Sequence, residues 1–181
     1  MRSPSGRTML HRTLVVLIGL LALAVVVVAL GRSANRPTRV TQPLAFSHAV
    51  HVTKAKLDCT TLCHAAAATQ VYAGLPSKQV CYECHDPDQE TPDRPELTRL
   101  ASYVDREEDL PWQRVAIVPP DVFFSHRRHV TAGRIECARC HPGVAEASEP
   151  LSEVSRVLTM EECLDCHRQQ GADDDCLACH R

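Results

Sequence analysis

Cys137-Ala138-Arg139-Cys140-His141 is one of five short stretches in this chain in which a pair of cysteines is followed directly by histidine. Four of the five have the form C-x-x-C-H, and the first, Cys59-Thr60-Thr61-Leu62-Cys63-His64, has one residue more between its cysteines. The five stretches use all ten cysteines of the 181 residues. The pairs are Cys59 and Cys63, Cys81 and Cys84, Cys137 and Cys140, Cys163 and Cys166, and Cys176 and Cys179. Such repetition indicates one kind of site built five times.

C-x-x-C-H is the pattern to which haem c is attached. Two thiols at this spacing can bond to the two vinyl groups of one porphyrin, and the next imidazole can then bind the iron from below. The extra residue in the first stretch can bulge outward without separating the thiols, so we expect haem there as well. The predicted proximal ligands are His64, His85, His141, His167 and His180. The sequence therefore predicts five covalently attached haem c groups and a role in electron transfer.

Cysteine pairs also occur in zinc sites and in disulfides. Structural zinc also takes C-x-x-C pairs but needs no histidine directly after each second cysteine. A disulfide framework suits an even number of cysteines in an exported protein, yet it gives no reason for five Cys-His endings. For the irregular pair, Cys59 and Cys63, a disulfide or two free thiols stays open as an alternative.

The composition predicts a poor side-chain core. Aromatic residues make up only 4% of the chain, with one Trp, and much of the apolar content lies in one N-terminal run. Small folds with too little apolar burial need covalent or metal staples, and haems can serve as these. We predict a mainly irregular fold with short α-helices, organised by the covalently bound haems. The formal net charge of −2 gives no basic surface for nucleic acid.

Thr13 to Leu30 is an uncharged run of eighteen residues, close to the length that crosses a hydrocarbon core of about 30 Å. We predict a transmembrane anchor over residues 13–31, with residues 1–12 in the cytoplasm. A cleaved signal peptide, with Ala29-Leu30-Gly31 as its cleavage site, is the alternative. Arginines flank the run on both sides and barely decide its orientation. Because haem c is attached outside the cytoplasmic membrane, we expect the haem domain on the periplasmic face, which excludes His11 as a ligand.

One segment of the sequence occurs twice. Phe46-Ser47-His48-Ala49-Val50-His51-Val52-Thr53 (the first histidine element) returns as Phe124-Ser125-His126-Arg127-Arg128-His129-Val130-Thr131 (the second histidine element), 78 residues later, and the same offset carries Cys59 onto Cys137. A shared register indicates one structural unit used twice. After a linker at 32–45, we predict a first haem module at 46–86 with two haems and a second at 123–181 with three.

Residues 87–122 join the two predicted modules. With Asp86, the segment holds six prolines and ten acidic residues against four arginines. This composition is typical of an extended connector with loops rather than a packed element. The alternative is that part of the connector clamps the two modules together, with Trp112 and Ile117 buried.

Four histidines are available as distal ligands for the five predicted haems. Beyond His11 and the five proximal residues, four of the ten histidines remain, all in the two histidine elements: His48, His51, His126 and His129. Their i, i+3 spacing places both imidazoles of an element on one side of a helical turn. We expect His48 and His126 to serve the motif that follows each element, and the other two to serve a more distant motif.

Four distal histidines leave one of five irons without a sixth ligand from histidine. Met160, three residues before Cys163, is the candidate, and a methionine ligand would raise the potential of that haem. The alternatives are that Met160 only packs against a porphyrin edge, that a lysine (Lys54, Lys56 or Lys78) binds, or that the iron is five-coordinate.

The histidine elements ahead of C-x-x-C-H motifs resemble the class III cytochromes, and more closely the pentahaem subunit of alternative complex III. The resemblance spans residues 46 to 181. It rests on Phe46 to His51, on Ala73 to Ser77 before Cys81, on Pro111 to Val115 leading into Pro120 to His126, and on Leu158 to Cys163. The sequence departs from that family in the irregular first motif, in its short length and at Ala116, where family members commonly have a histidine.

The resemblance implies an electron-transfer subunit of a quinol-oxidising complex rather than an enzyme by itself. Its implied partners are an iron–sulfur subunit related to molybdopterin enzymes, a quinol-binding membrane subunit, and a downstream monohaem cytochrome, copper protein or terminal oxidase. Two other functions stay open. One is a self-sufficient quinol dehydrogenase that feeds a soluble reductase, and the other is a small-molecule reductase acting at an open haem.

Overall fold

The computed structural model describes residues 6–34, 37–86, 93–106 and 108–180. The chain divides into two compact units, with the boundary between Pro37 and Thr38. Parts of the predicted cytoplasmic segment, linker and connector, including Pro87 and Pro92, lie outside the described residues, as does Arg181.

In the N-terminal unit, residues 6–34 form one helix, α1 (Gly6–Ala34). Within it, Leu10–Gly31 is a stretch of 22 residues with a mean hydropathy of 3.2 and no buried residues, and it is the one described helix that is long and apolar enough to cross a membrane. A signal sequence has the same character, so the uncleaved anchor stays a prediction.

The second unit is built mostly from short helical pieces and irregular chain. The helices are α2 (Ala66–Thr69), α3 (Lys78–Tyr82), α4 (Pro95–Asp105), α5 (Met160–Gln170) and α6 (Cys176–Cys179), with π-helical turns at Ala49–Lys54 and Arg128–Ala132 and a 3₁₀ turn at Cys137–Arg139. Strands β1 (Ala116–Ile117) and β2 (Ser155–Arg156) form a two-stranded parallel sheet, with Ala116 opposite Ser155. This confirms the expectation of a largely irregular fold with small helices.

Few hydrophobic side chains are buried in the described part of the chain. They are Leu44, Ala67, Leu100 and Leu110, and no large side chain there is fully enclosed. A unit of this size normally buries most of its apolar surface in order to be stable. The side chains alone therefore provide only a small core, as the composition predicts for a fold stapled by large prosthetic groups.

The connector contains a packed helix, so the expectation of an extended segment is wrong over Pro95–Asp105. Helix α4 begins with proline, which suits the first helical position, and buries Leu100 against Leu44 and Leu110. Cys81, Tyr82, Leu97, Tyr103 and Trp112 pack around these three residues. The small core thus lies beside the second haem motif.

Gln42, in the linker, joins the connector to the second haem module through hydrogen bonds. The Gln42 side chain donates to the carbonyls of Gln113 at 2.9 Å and Leu151 at 2.8 Å, and accepts from the Gln113 N–H at 3.0 Å. Trp112 is half-buried and its indole N–H donates to the Pro76 carbonyl at 2.9 Å. The Trp112 contacts shown are to the first module and the small core, and Ile117 is 42% exposed, so the clamp between the two modules stays a prediction.

The two histidine elements have the same backbone conformation. Each ends in a π-helical turn, a rare conformation that is frequent at functional sites. Each is followed by a residue with positive φ, Lys56 at 61° and Arg134 at 53°, which are 78 positions apart. Non-glycine residues seldom adopt this conformation, so its repetition at equivalent positions indicates that the two repeats share one backbone path toward the next cysteine motif.

Candidate haem-binding sites

A backbone hydrogen bond closes four of the five cysteine motifs into turns. The His N–H donates to the carbonyl of the first cysteine at 2.9 Å in the second, third and fifth motifs, at His85, His141 and His180. In the first motif the same bond, from His64 to Cys59, is also 2.9 Å long although it spans one residue more. The extra residue therefore widens the turn and leaves the relation between the first cysteine and the histidine intact.

Asp58 holds the widened turn of the first motif. Its Oδ1 accepts from the backbone N–H groups of Thr60 at 2.8 Å and Thr61 at 3.1 Å, and from both hydroxyls at 2.8 and 3.2 Å. The hydrogen bonds from Thr60 are the main reason why the pKa of Asp58 is lowered. Asp175 caps the fifth motif in the same way, accepting from the Leu177 N–H at 2.9 Å. An Asp directly before the first cysteine is a signal that the sequence analysis missed.

The fourth motif lies within α5. Thr159 and Glu162 form a capping box at the start of this helix, in which each side chain accepts from the backbone N–H of the other. Gly171 ends the helix in the left-handed conformation, with φ of 64°. Cys163, Cys166 and His167 are therefore carried by a helix with two defined ends.

Six of the candidate histidine ligands have their ring fixed by a backbone carbonyl. Nδ1 of each lies at hydrogen-bond distance from the oxygen, and because a carbonyl only accepts, Nδ1 carries the proton. The neutral ring then presents Nε2, with its lone pair free for a metal ion. The pairs are His51 with Ser47 (2.8 Å), His64 with Gly74 (3.0 Å), His126 with Val71 (3.0 Å), His129 with Ser125 (2.8 Å), His167 with Asp173 (2.5 Å) and His180 with Asp121 (3.2 Å). This is the arrangement that iron ligands need.

A phenylalanine supports both histidines of each element. Phe46 stacks on His51 at 4.3 Å between ring centroids and meets His48 edge-on at 5.0 Å. Phe124 repeats this arrangement with His129 at 4.5 Å and His126 at 4.9 Å. These aromatic contacts restrict the plane of each imidazole.

Two of the histidines in these elements face predicted proximal histidines. The ring centroids of His51 and His85 are 6.1 Å apart, and those of His129 and His167 are also 6.1 Å apart. Two imidazoles on opposite sides of one metal ion have centroids about 6 Å apart, because each metal–nitrogen bond is about 2 Å long. The spacing therefore fits one iron between each pair.

The other two histidines of the elements lie beside the first and third motifs. Burial is the main cause of the lowered pKa of His48, followed by repulsion from His64 and His51. The pKa of His141 is likewise lowered by burial and then by His126 and His64. His48 Nδ1 is also the one described buried side-chain nitrogen or oxygen that has no hydrogen-bond partner. The protein itself thus leaves this ring incompletely satisfied.

A cleft of 580 Å³ lies beside the third motif and includes Cys140 and His141 in its lining. Its volume is typical of sites for cofactor-sized ligands. Ala116 lines the same cleft, so the position that is a histidine in the resembling family lies near the third motif. The lining supplies Cys140 and His141 of the third motif, whereas Cys137 and His126 are not among its residues, so the cleft offers part of a haem site.

The fifth distal ligand stays a prediction. Met160 is the first residue of α5 and is 60% exposed. Lys78, named above as an alternative, is buried, and its Nζ donates to the carbonyls of Tyr103 at 2.8 Å and Glu108 at 2.5 Å. Its charge is thus held beside α4 and the small core, and this argues against Lys78 as an iron ligand.

The geometry of the thiols argues against zinc and against a disulfide framework. All ten cysteines are free, and within the described ranges no three His, Cys, Asp or Glu side chains converge into a set that could hold a metal ion. Structural zinc needs four such donors around one point. Burial is the first cause of the raised pKa of Cys63 and of Cys81.

Comparison with known proteins agrees with these sites. Residues 122–181 match the family described as cytochrome c7 and related cytochrome c. Over an alignment of 163 positions that covers 77% of each chain, the sequence is 31% identical to the multihaem cytochrome c subunit of menaquinone reductase from Nitratidesulfovibrio vulgaris. The chain belongs to the multihaem c-type cytochromes. Covalently bound haem c, iron binding and electron transport follow from this membership.

The cytochrome thus has the cofactor chemistry that its motifs predict, while the number of haems and the individual ligands rest on the residues themselves. The fold brings the histidine elements next to the cysteine motifs and supplies a fixed ring orientation to six of the histidines. It does not bring a fifth histidine among the described residues to His180.

Proposed function

We propose that the cytochrome is the membrane-anchored pentahaem subunit of a complex that exchanges electrons between the quinone pool and an exported redox partner. Bound haem c supplies one-electron chemistry, while the protein sets ligands, burial and spacing. The observation that carries the proposal is the placement of each of the four distal candidates beside a different predicted proximal histidine. We assign His48 to His64, His51 to His85, His126 to His141 and His129 to His167.

Several features support a relay rather than a catalytic site. At four of the five motifs two histidines are available, and as protein ligands of one haem iron they would leave no position open to substrate. A haem held in this way would supply single-electron transfer only. The apolar helix α1 supports attachment to the cytoplasmic membrane, with residues 38–181 on the periplasmic side where haem c is attached. The charges around α1 do not fix this orientation, so it is part of the proposal.

Membership in a complex is supported by the relative, whose name describes it as one subunit of a menaquinone reductase. We propose an iron–sulfur subunit and a quinone-binding membrane subunit as partners, in keeping with the resemblance to alternative complex III. That resemblance favours oxidation of quinol, which releases two electrons and two protons and passes the electrons to an exported cytochrome, copper protein or oxidase. The name of the relative favours the reverse direction, with menaquinone reduced.

The test is haem reduction in the complex and in the single chain. The cytochrome is purified from membranes through an affinity tag, with and without its co-purifying subunits, and mixed with a menaquinol analogue. The proposal predicts that haem absorbance changes only when the partner subunits are present. Rapid reduction of the single chain by the analogue contradicts it and supports a self-sufficient quinol dehydrogenase.

Two further experiments test the direction of electron transfer and the alternative of an open haem. One adds a menaquinone analogue, and the other adds small ligands of haem iron. Oxidation of the reduced complex by a menaquinone analogue, faster than its reduction by the menaquinol, supports the quinone-reducing direction. Addition of nitrite, hydroxylamine or cyanide to the ferric chain is expected to leave the low-spin signals of the four histidine-paired sites unchanged. A catalytic turnover of nitrite or hydroxylamine contradicts the relay and supports a small-molecule reductase.

A further inference from the structure

Of the lysines and arginines whose side chains the structure describes, only Lys78 is buried, with 8% of its surface exposed. It is the first residue of α3 (Lys78–Tyr82), and Cys81 of the second motif lies in the same short helix. Because an α-helix rises about 1.5 Å per residue, the two residues are separated by about 4.5 Å along its axis. A buried cation therefore lies within one helical turn of a predicted attachment cysteine.

The Lys78 ammonium group is bound by backbone carbonyls. Nζ donates to the carbonyl of Tyr103 at 2.8 Å and to that of Glu108 at 2.5 Å. Tyr103 lies in the last turn of α4 (Pro95–Asp105). The carboxyl end of a helix carries partial negative charge and favours a cation. The contacts of Nζ are thus with carbonyl dipoles at the end of α4.

The described carboxylates near Lys78 are engaged elsewhere. None of the ion pairs formed among the described residues includes Lys78. The Glu108 carboxylate pairs instead with Arg106 at 3.1 Å. Asp109 Oδ1 accepts from the backbone N–H groups of Lys78 at 3.2 Å and Leu110 at 2.8 Å. Lysine is almost never buried unless its charge is paired, so a lysine held by dipoles alone is unusual.

The cation and the second motif share one apolar cluster. Tyr103, whose carbonyl accepts from Lys78, and Cys81, whose thiol would hold the second haem, both pack against the small core around Leu100. Charges in such surroundings interact more strongly than charges in water. The buried position of Lys78 therefore makes its charge effective at the second motif.

A cation near a haem favours the reduced iron, because the ferric state carries one positive charge more than the ferrous state. We propose that Lys78 raises the reduction potential of the haem at the second motif through its buried charge, without binding the iron. This inference rests on the proposed function as a relay, and it assigns to one residue the control of one potential in that relay. Reduction at this site takes up one electron from a neighbouring redox centre, with no bond made or broken.

The test compares two replacements of Lys78 in the full-length chain, with five haems confirmed by mass. Lys78→Met removes the charge and keeps an unbranched side chain of similar length, whereas Lys78→Arg keeps both the charge and the donors. Potentials are measured by an equilibrium redox titration followed by electron paramagnetic resonance. The second-site signal is the low-spin signal that His51→Ala removes. We expect Lys78→Met to lower the second-site potential more than that of any other haem, and Lys78→Arg to stay close to the wild type.

Two further variants separate charge from packing. Lys54→Met is the control, because Lys54 is exposed and its charge is screened by water and salt. It should leave the second-site potential unchanged. Asp109→Asn removes a negative charge beside Lys78 and keeps an oxygen that can accept from the same N–H groups. We expect it to raise the second-site potential, opposite to the effect of Lys78→Met.

An unchanged second-site potential in Lys78→Met overturns the proposal. An equal fall in Lys78→Met and Lys78→Arg also overturns it, because the shape of the side chain and not its charge is then responsible. Should Lys78→Met lose a haem, Asp109→Asn decides, and a second-site potential equal to or below that of the wild type rejects the proposal. The titration uses dithionite and soluble mediators in place of quinol, so its failure and a failed quinol assay are separate results.

Discussion

His51 and His85 face each other with ring centroids 6.1 Å apart although they belong to different segments of the first module. His51 Nδ1 donates to the Ser47 carbonyl at 2.8 Å, which leaves Nε2 as the nitrogen available to iron. The spacing and the free Nε2 therefore fit one iron between His51 and His85 at the second site.

Replacing His51 with alanine is expected to convert one haem from low spin to high spin, because the iron at the second site loses its distal imidazole. Low-temperature electron paramagnetic resonance of the ferric protein measures the change. His11→Ala is the control, because His11 lies in α1, in the N-terminal unit. This variant should leave every signal unchanged. An unaltered low-spin spectrum in His51→Ala rejects this pairing.

Phe46→Leu is expected to alter two haems at once. Phe46 stacks on His51 and meets His48 edge-on, so its loss frees two imidazole planes, at a cost on the order of 1 kcal/mol for each lost aromatic contact. The low-spin g values of the first and second sites should broaden or shift.

Phe124→Leu is the matched variant in the second module, because Phe124 makes the same contacts with His126 and His129. It should change the signals of the third and fourth sites and leave those altered by Phe46→Leu intact. Identical spectral changes in the two variants would contradict the prediction that Phe46 and Phe124 act on separate pairs of sites.

Asp58→Ala is expected to lower haem attachment at the first motif, because the widened turn loses four hydrogen bonds to Thr60 and Thr61. Asp58→Asn keeps an acceptor oxygen at the same place and should retain most of the attachment. Mass spectrometry of the mature chains measures the ratio of four-haem to five-haem protein. Equal ratios in the two variants mean that Asp58 does not organise the turn.

Thr159→Ala is expected to destabilise α5 by about 1 kcal/mol through loss of its N-cap. Hydrogen bonds from the Thr159 backbone and side chain lower the pKa of Glu162 below its ordinary value of 4.5. A carboxyl whose pKa is lowered on folding stabilises the native state above its unfolded pKa, and this stabilisation is lost as the pH falls through the folded value. Thermal unfolding of Glu162→Gln should therefore depend less on pH below 4.5 than that of the wild type.

The cysteine motifs could be predicted from sequence because the chemistry of attachment is local, within five or six residues. The repeat of Phe46 to Thr53 likewise predicted two similar turns, since the two segments share six of eight residues. The pairing of each distal histidine could not be derived in this way. It depends on contacts such as His126 with Val71, 55 residues apart in the chain, which no local pattern contains.

Helix α4 was missed because prolines and acidic residues dominate the composition of the connector. The apolar residues Leu97, Leu100 and Tyr103 recur every third position and lie on the side of the helix that packs into the small core. This spacing was the available signal, together with Pro95 at the first helical position. The composition was averaged over the whole connector, and such an average does not reveal an amphipathic helix of only eleven residues.

The proposed relay requires covalent attachment of haem at all five cysteine motifs, the first included. Intact-protein mass spectrometry of the chain purified from membranes, combined with a haem assay per polypeptide, measures this directly. We predict a mass that contains five haems, with no free or oxidised thiol among the ten cysteines. A mature chain with fewer haems, or with a disulfide between Cys59 and Cys63, would contradict it.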